Sequence, residues 1–217
     1  MPTLRSASLP LLAALIAAGC GHAPKAADAA ADAAFDAPLD IAGSFAPRGQ
    51  AGMDRLVQDE TQRICSEYEG RALPPESATR IMAIANAGVR LPADGNFLGD
   101  WKNGEKIAKT GTGLQSNDDP KVPNGGNCYA CHQMAAEEIA YGTIAPPLGL
   151  YGKLRGNSEP MLKYTWTRLW NSHAYNACSH MPRFGEKQVL TEQQLKDVMA
   201  YLFDPQSPVN LEAAGTN

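Results

Sequence analysis

The chain has 217 residues, a formal net charge of −4 and a hydrophobic fraction of 44%, which together predict one or two soluble domains. Its positive residues are scattered and form no basic stripe of the kind that phosphate backbones require, so we expect no nucleic-acid partner. The 20 glycines and 16 prolines predict many turns between short elements.

Residues 1–19 are predicted to be a signal peptide, because Arg5 precedes a short apolar run from Leu9 to Ala18 and small residues follow. Such a run is too short to span about 30 Å of hydrocarbon. The stretch from Leu15 to Cys20 resembles the lipobox of bacterial lipoproteins, in which the cysteine is diacylated and becomes the mature N-terminus. The alternative is ordinary cleavage to a soluble protein. Both alternatives predict a periplasmic location, with membrane attachment only through a lipid anchor at Cys20.

Residues 20–52 are predicted to form a solvated tether, since the segment from Gly21 to Gly52 contains 12 Ala, 4 Gly and 3 Pro and cannot bury a core. Residues 53–92 are expected to form an N-terminal helical extension, with helices from Asp54 to Cys65 and from Ser77 to about Gly88. The main domain is predicted over 93–210, followed by a tail at 211–217.

The main domain contains the pattern Cys-x-x-Cys-His at Cys128, Cys131 and His132. Two cysteines three apart on one turn can bond the two vinyl groups of a porphyrin, and the histidine that follows can then bind the iron. A thioredoxin-like dithiol would require a strand in a βαβ pattern, and a zinc site would require a second cysteine cluster. The sequence contains neither signal. It therefore predicts one covalently bound haem c, an attachment that is made outside the cytoplasm.

The segments on either side of this motif resemble those of class I cytochromes c, in which an N-terminal helix crosses a C-terminal helix beside the haem. Gly99 to Ala108 is the first candidate helix, and Gly104 within it predicts a close crossing because glycine costs about 1 kcal/mol against alanine in a helix. Thr191 to Gln194 forms a capping box that opens the second helix, and Asp204-Pro205 ends it. The resemblance implies an all-α class I cytochrome c fold, preceded by the N-terminal helical extension.

Two further haem contacts are expected. Ile144 to Leu148 is similar to a Gly-Pro-x-Leu stretch of class I cytochromes, and this resemblance implies that the Pro146 carbonyl accepts a hydrogen bond from His132. Of the four methionines after the motif, Met134 is too near His132 and Met199 lies in an apolar helix stripe, while Met161 opens another predicted helix. Met181, in a Gly/Pro loop, is the predicted second axial ligand. His180 and His173 are its alternatives.

Two cysteines, Cys65 and Cys178, are left without a haem or lipid role. In an oxidising compartment they are predicted to form a disulfide that closes a loop of about 110 residues and stiffens the segment around Met181. The alternative for Cys178 is a reactive or sulfur-carrying thiol near the haem.

Four stretches together resemble the SoxX family, the monohaem cytochrome subunits of the SoxAX complexes of bacterial thiosulfate oxidation. They are Gly126 to Gln133, Ile139 to Ile144, Tyr175 to Gly185 and Leu190 to Asn210. The most specific parts are Ala-Cys-Ser-x-Met-Pro-Arg-Phe-Gly and the ending Asp-Pro-x-Ser-Pro-Val.

The resemblance implies an electron-transfer subunit without catalytic residues of its own. The SoxA subunit, its partner in a heterodimer, would carry the active site where thiosulfate is oxidatively joined to a cysteine of the SoxYZ carrier. This chain would accept the released electrons at a haem held by His132 and Met181, and pass them to a small soluble cytochrome c. The alternative function is a free-standing periplasmic class I cytochrome c.

Overall fold

The computed structural model describes residues 41–212. The predicted signal peptide, Cys20, the first part of the tether and residues 213–217 lie outside this range. The α-helices within it are α1 (Ile41–Ser44), α2 (Glu60–Glu67), α3 (Pro75–Ala87), α4 (Trp101–Lys109), α5 (Tyr151–Arg155), α6 (Glu159–Trp170) and α7 (Glu192–Phe203). Short 3-10 turns lie at Met53–Leu56, Cys128–Ala130, Ser172–Ala174 and Pro208–Asn210. Because residues 41–212 contain no β-strand, the predicted all-α class is confirmed for them.

Helices α4 and α7 cross closely at Gly104, as the glycine within a helix predicts. A methyl group at Gly104 would lie 2.0 Å from the carbonyl oxygen of Asp197 and 2.9 Å from Cβ of Tyr201. The start of α7 also follows the prediction, since Thr191 and Gln194 cap each other's backbone amides in a capping box. The apolar stripe of α7 is buried in the core, and the stripe consists of Leu195, Val198, Met199 and Leu202.

A buried carboxylate fastens the beginning of α4 to α7. Asp197 accepts hydrogen bonds from the backbone amide of Asp100 at 2.9 Å, from Nδ2 of Asn103 at 2.6 Å and from Nε2 of Gln193 at 2.9 Å. Asp100 in turn caps α4 by accepting from the amide of Lys102, which is why the helix begins at Trp101 and not at Gly99. The buried carboxylate of Asp197 is stable here because its oxygens accept these hydrogen bonds.

The N-terminal extension folds as two helices, but the first begins later than predicted. Asp59 and Gln62 form a capping box, so α2 begins at Glu60, and a 3-10 turn occupies Met53–Leu56 instead of the expected first helical turns. The extension packs on the main domain through α3 and the residues after it. Trp166 donates from Nε1 to the carbonyl of Arg90 at 2.8 Å, and Trp170 donates to the carbonyl of Gly88 at 3.0 Å.

The end of the predicted tether is attached to the same compact unit. Arg48 and Ala51 pair through their backbones, and Gln50 donates from Nε2 to the carbonyl of Asp118 at 3.1 Å. Gly49 lies so close to this loop that a methyl group there would stand 2.1 Å from the carbonyl oxygen of Ser116. Composition alone does not reveal these contacts with a distant loop, and the tether boundary after residue 52 stays a prediction.

Candidate haem site

The haem-attachment motif forms a single tight turn. The residue before it, Asn127, has a left-handed backbone with φ 46° and ψ 42°, and a 3-10 turn follows over Cys128–Ala130. The amides of Cys131 and His132 both donate to the carbonyl of Cys128, at 3.1 and 2.9 Å. The turn therefore presents two cysteines from one short piece of backbone, with the imidazole directly after them. Both thiols are free and half-buried.

Contacts with α4 and α7 hold this turn in place. The amide of Gly126 donates to the carbonyl of Ile107 at 2.8 Å, and the amide of Asn127 donates to the carbonyl of Thr110 at 3.0 Å. On the other side, the hydroxyl of Tyr129 lies 2.9 Å from the hydroxyl of the buried Tyr201 on α7. Sequence reasoning missed this tyrosine pair, since nothing local in the sequence links the two positions. The pair joins the attachment turn to the helix crossing.

His132 is oriented by the segment that follows the motif. Its Nδ1 lies 2.7 Å from the carbonyl oxygen of Pro146. A carbonyl can only accept, so Nδ1 carries the proton and the lone pair is left on Nε2. The Pro146 segment is itself tied to the turn, because Gly142 donates to the carbonyl of Tyr129 at 2.8 Å and Ala145 donates to that of Cys131 at 3.1 Å.

Met181 lies in a loop that is closed by two hydroxyl groups. Ser172 donates from Oγ to the Met181 carbonyl at 2.8 Å, and the Met181 amide donates to Oγ of Ser179 at 3.2 Å. The side chain of Met181 is half-buried and packs against the same hydrophobic core as Cys128. The other three methionines lie elsewhere in the fold: Met134 and Met199 are buried in the core, and Met161 packs against it from α6.

The two alternative histidine ligands differ from Met181 in exposure and hydrogen bonding. His180 is exposed. His173 is buried and its Nε2 lies 3.0 Å from the carbonyl of Ser179, so that nitrogen donates and is not free to bind a metal. Burial lowers the pKa of His173, which keeps the ring neutral, and its Nδ1 has no hydrogen-bond partner among the described residues. All three side chains line one cleft, so His180 and His173 stay alternatives to Met181.

Residues 101–204 match the sequence pattern of the cytochrome c family, from the first residue of α4 to the residue after α7. Residues 101–204 therefore form a cytochrome c domain. Its fold is therefore the all-α class I cytochrome c fold that the sequence predicts, and its function is electron transfer by a bound haem c. A related protein of Aquifex aeolicus (strain VF5), described as an uncharacterized lipoprotein, is 36% identical over 155 residues. The similar region covers 71% of this chain and 73% of that protein.

The residues of this cytochrome fit the haem that the family binds. The two attachment thiols are unpaired, and the free Nε2 of His132 is the atom that a haem iron requires. Burial raises the pKa of the Cys128 thiol to about 12, so it is present as a neutral thiol in an apolar environment. The described residues contain no cluster of three or more His, Cys, Asp or Glu side chains that would hold a metal ion by themselves. The roles of Cys128, Cys131, His132, Pro146 and Met181 in binding haem stay predictions.

A disulfide joins the extension of the cytochrome to the Met181 loop. Cys65 on α2 and Cys178 are bonded with a Cα–Cα distance of 5.5 Å. The bond closes over a sequence separation of 113 residues. Arg183, on the other side of Met181, forms an ion pair with Asp59 at 2.8 Å. Sequence reasoning treated Arg183 only as part of a family motif and missed this pair.

No helix within residues 41–212 is both long enough and apolar enough to cross a membrane.

Proposed function

We propose that this cytochrome is the monohaem electron-transfer subunit of a SoxAX complex, a subunit that accepts the electrons released when thiosulfate is joined to the SoxYZ carrier. The observation that carries the proposal is the Met181 loop. Its Ala-Cys-Ser-x-Met-Pro-Arg-Phe-Gly sequence is the most specific part of the resemblance to SoxX. In the structure this same sequence contains the bonded cysteine, the candidate ligand and the ion-paired arginine.

The proposed ligand set supports electron transfer instead of substrate chemistry at the iron. His132 would occupy one axial position and Met181 the other, so neither position is left for a small molecule. A bound haem supplies a one-electron redox centre, and a thioether ligand raises its potential. The chain has one Cys-x-x-Cys-His motif, which supports a single haem. The residues of this chain would attach and orient that group, and none would act as nucleophile or general acid.

An apolar surface beside the attachment turn supports the proposed SoxA partner. The loop after the motif carries Ile139, which is 100% exposed, and Ile144, which is 83% exposed, with Tyr141 between them. Gly142 ties this loop to the attachment turn. Large apolar side chains exposed together mark interaction sites, and a partner docked there would lie close to the haem.

We also propose that the mature protein is a periplasmic lipoprotein anchored through Cys20. The support is the lipobox-like sequence before Cys20 and the description of the Aquifex aeolicus relative as a lipoprotein. Mass spectrometry of the mature N-terminus tests this proposal. A diacylglyceryl-modified Cys20 is expected, and its loss in Cys20→Ser is the control. An unmodified N-terminus at another residue would contradict it.

Isolation of the native protein tests the SoxAX proposal. We expect a stoichiometric second haem subunit, and we expect the complex to conjugate thiosulfate to a carrier cysteine only when both subunits are present. Recovery of a lone monomer that exchanges electrons freely with other redox proteins would instead support the free-standing carrier.

Absorption spectroscopy tests the proposed ligand separately. The oxidised haem-loaded protein is expected to show the thioether-to-iron charge-transfer band in the red region, and Met181→Ala is expected to lose it. His180→Ala is the matched control, because it changes the neighbouring residue and should retain the band. A wild-type protein without the band would favour His180 as the ligand.

A further inference from the structure

We propose that the N-terminal extension is a brace that keeps the Met181 loop closed, and that Asp59 and Arg183 are positioning residues for the iron ligand on that loop. The brace is defined here as residues 59–90. The proposal deepens the proposed function and rests on the loop supplying the second axial ligand. It assigns a role to a segment that lies outside the part of the chain matched by the cytochrome c family, which begins at residue 101.

The central contact is an ion pair between the start of α2 and the residue two positions after Met181. Arg183 lies 2.8 Å from Asp59 and 3.4 Å from Glu186, in both cases through Nη1, and its side chain is only 9% exposed. Lys187 also reaches Asp59, at 2.8 Å. Because the Arg183 side chain is so little exposed, its charge depends on these partners, and loss of the Asp59 charge would leave it the longer contact with Glu186.

The same network continues to the beginning of the loop. Asn171 donates from Nδ2 to Glu186, and its Oδ1 accepts from the amide of His173 at 3.0 Å. The neighbouring Ser172 donates to the Met181 carbonyl. The Asp59 carboxylate is therefore connected, through Arg183 and Glu186, to the residues at both ends of the loop that carries Met181.

Two further sets of contacts hold the loop from the same side. Asn86 on α3 donates from Nδ2 to the carbonyl of Ala174 at 2.9 Å. The disulfide from Cys65 reaches Cys178, three residues before Met181. The loop from 175 to 191 contains turns but no helix or strand of its own, so its conformation depends on contacts with the rest of the fold. The second half of the loop is held by the carbonyl of Trp170, which accepts from the amides of Gly185 and Glu186 at 3.2 and 3.1 Å, and the part before Met181 is held by the brace.

Opening of the loop would release the iron ligand, and this can be measured with cyanide, which binds ferric haem when an axial position becomes free. The apparent affinity of such a probe rises in proportion to the population of the open state. Asp59→Asn removes the charge but retains an oxygen that can cap α2. We expect it to raise the apparent cyanide affinity of the full-length, haem-loaded protein at least tenfold, which corresponds to about 1.4 kcal/mol in favour of opening.

The matched control is Glu60→Gln, the next residue along the chain. Glu60 pairs with Arg80, and both side chains are well exposed, so this pair should contribute little. We expect the control to bind cyanide within about twofold of the wild type, and Asp59→Glu to restore much of the wild-type behaviour because it retains the charge. The thioether band at equilibrium should keep its wild-type intensity in both variants, because a tenfold rise in a minor open state leaves the closed state dominant.

Wild-type cyanide affinity in Asp59→Asn would overturn the proposal, as would an equal increase in Glu60→Gln. The absence of a thioether band in the wild type would contradict Met181 as ligand but would leave this test intact. Cyanide competes with whichever residue of the loop binds the iron. The cyanide affinity therefore tests the brace, and the thioether band separately tests Met181 as the ligand.

Discussion

The close crossing of α4 and α7 makes Gly104→Ala the sharpest test of how this fold is held together. The added methyl carbon would lie 2.0 Å from the Asp197 carbonyl oxygen and 2.5 Å from its carbon, while ordinary contacts begin near 3.4 Å. Both neighbours belong to the backbone of α7, so no side-chain rotation relieves the overlap. The two helices would have to separate by about 1.4 Å at this point.

The expected cost follows from two opposing terms. Alanine favours the helix over glycine by about 1 kcal/mol. Forcing an extra carbon into a packed core costs about 1–3 kcal/mol, and the upper value applies here because a gap of even 1 Å forfeits up to half of the dispersion energy of the atoms that separate. We therefore expect a net loss of about 2 kcal/mol in the free energy of unfolding, or roughly 4–8 °C in Tm for a domain of this size.

Guanidinium unfolding of the haem-loaded protein measures this loss. The denaturant concentration at the midpoint should fall, while the dependence of the unfolding free energy on denaturant concentration should stay unchanged. Gly88→Ala is the matched control, because Gly88 has a right-handed backbone with φ −87° and its added methyl group would meet its nearest neighbour at 3.6 Å. This control should be as stable as the wild type or gain up to about 1 kcal/mol. If Gly104→Ala matched the control, the reasoning about the helix crossing would be refuted.

Three further predictions concern the contacts around the haem site. Replacing both Cys65 and Cys178 with alanine should lower the free energy of unfolding by up to about 4.8 kcal/mol, the chain-entropy value for a loop of this length, and an unchanged denaturation midpoint would contradict it. Tyr201→Phe should cost about 1 kcal/mol in the same assay by removing the bond to Tyr129, whereas Tyr175→Phe, an exposed control, should cost nothing measurable. Burial acts to raise the pKa of Asp59, but hydrogen bonds from Lys187, the Gln62 amide and Arg183 outweigh it and hold that pKa well below its usual 3.8. The lowered pKa means that Asp59 stabilises the fold above pH 4 and loses this effect as the pH falls further, so the stability difference between wild type and Asp59→Asn should be full at pH 7 and shrink below about pH 4. A difference that grew on acidification would refute this assignment.

Several elements of this cytochrome could be predicted because their signals are local. The capping box at Thr191 and the apolar stripe of α7 each reflect the backbone geometry of a single helix. The glycine within α4 indicates a close neighbour because glycine is otherwise unfavourable in a helix. The Cys-x-x-Cys-His motif is likewise contained in one turn. Local interactions of this kind involve neighbouring residues, so they can be predicted without knowledge of the fold.

The start of the first extension helix shows how one local signal can outweigh another. A helix is expected from Asp54, but the capping box of Asp59 and Gln62 begins α2 at Glu60. Within the predicted tether, Gln50 bonds to the carbonyl of Asp118, a contact that lies far along the chain and that composition does not reveal. The boundary of the tether after residue 52 stays a prediction.

By itself the sequence determined the helical class, the attachment turn and a short set of candidate ligands, since each depends on residues within a few positions of one another. Only the tertiary structure decided how these parts are held: Tyr129 against Tyr201, Asp59 against Arg183, and the extension against the Met181 loop. Contacts between residues 70 to more than 120 positions apart depend on how the helices pack, and packing is a property of the whole core. The attachment motif identifies what this protein binds, and the fold decides how firmly the loop that carries Met181, the predicted second ligand, is held.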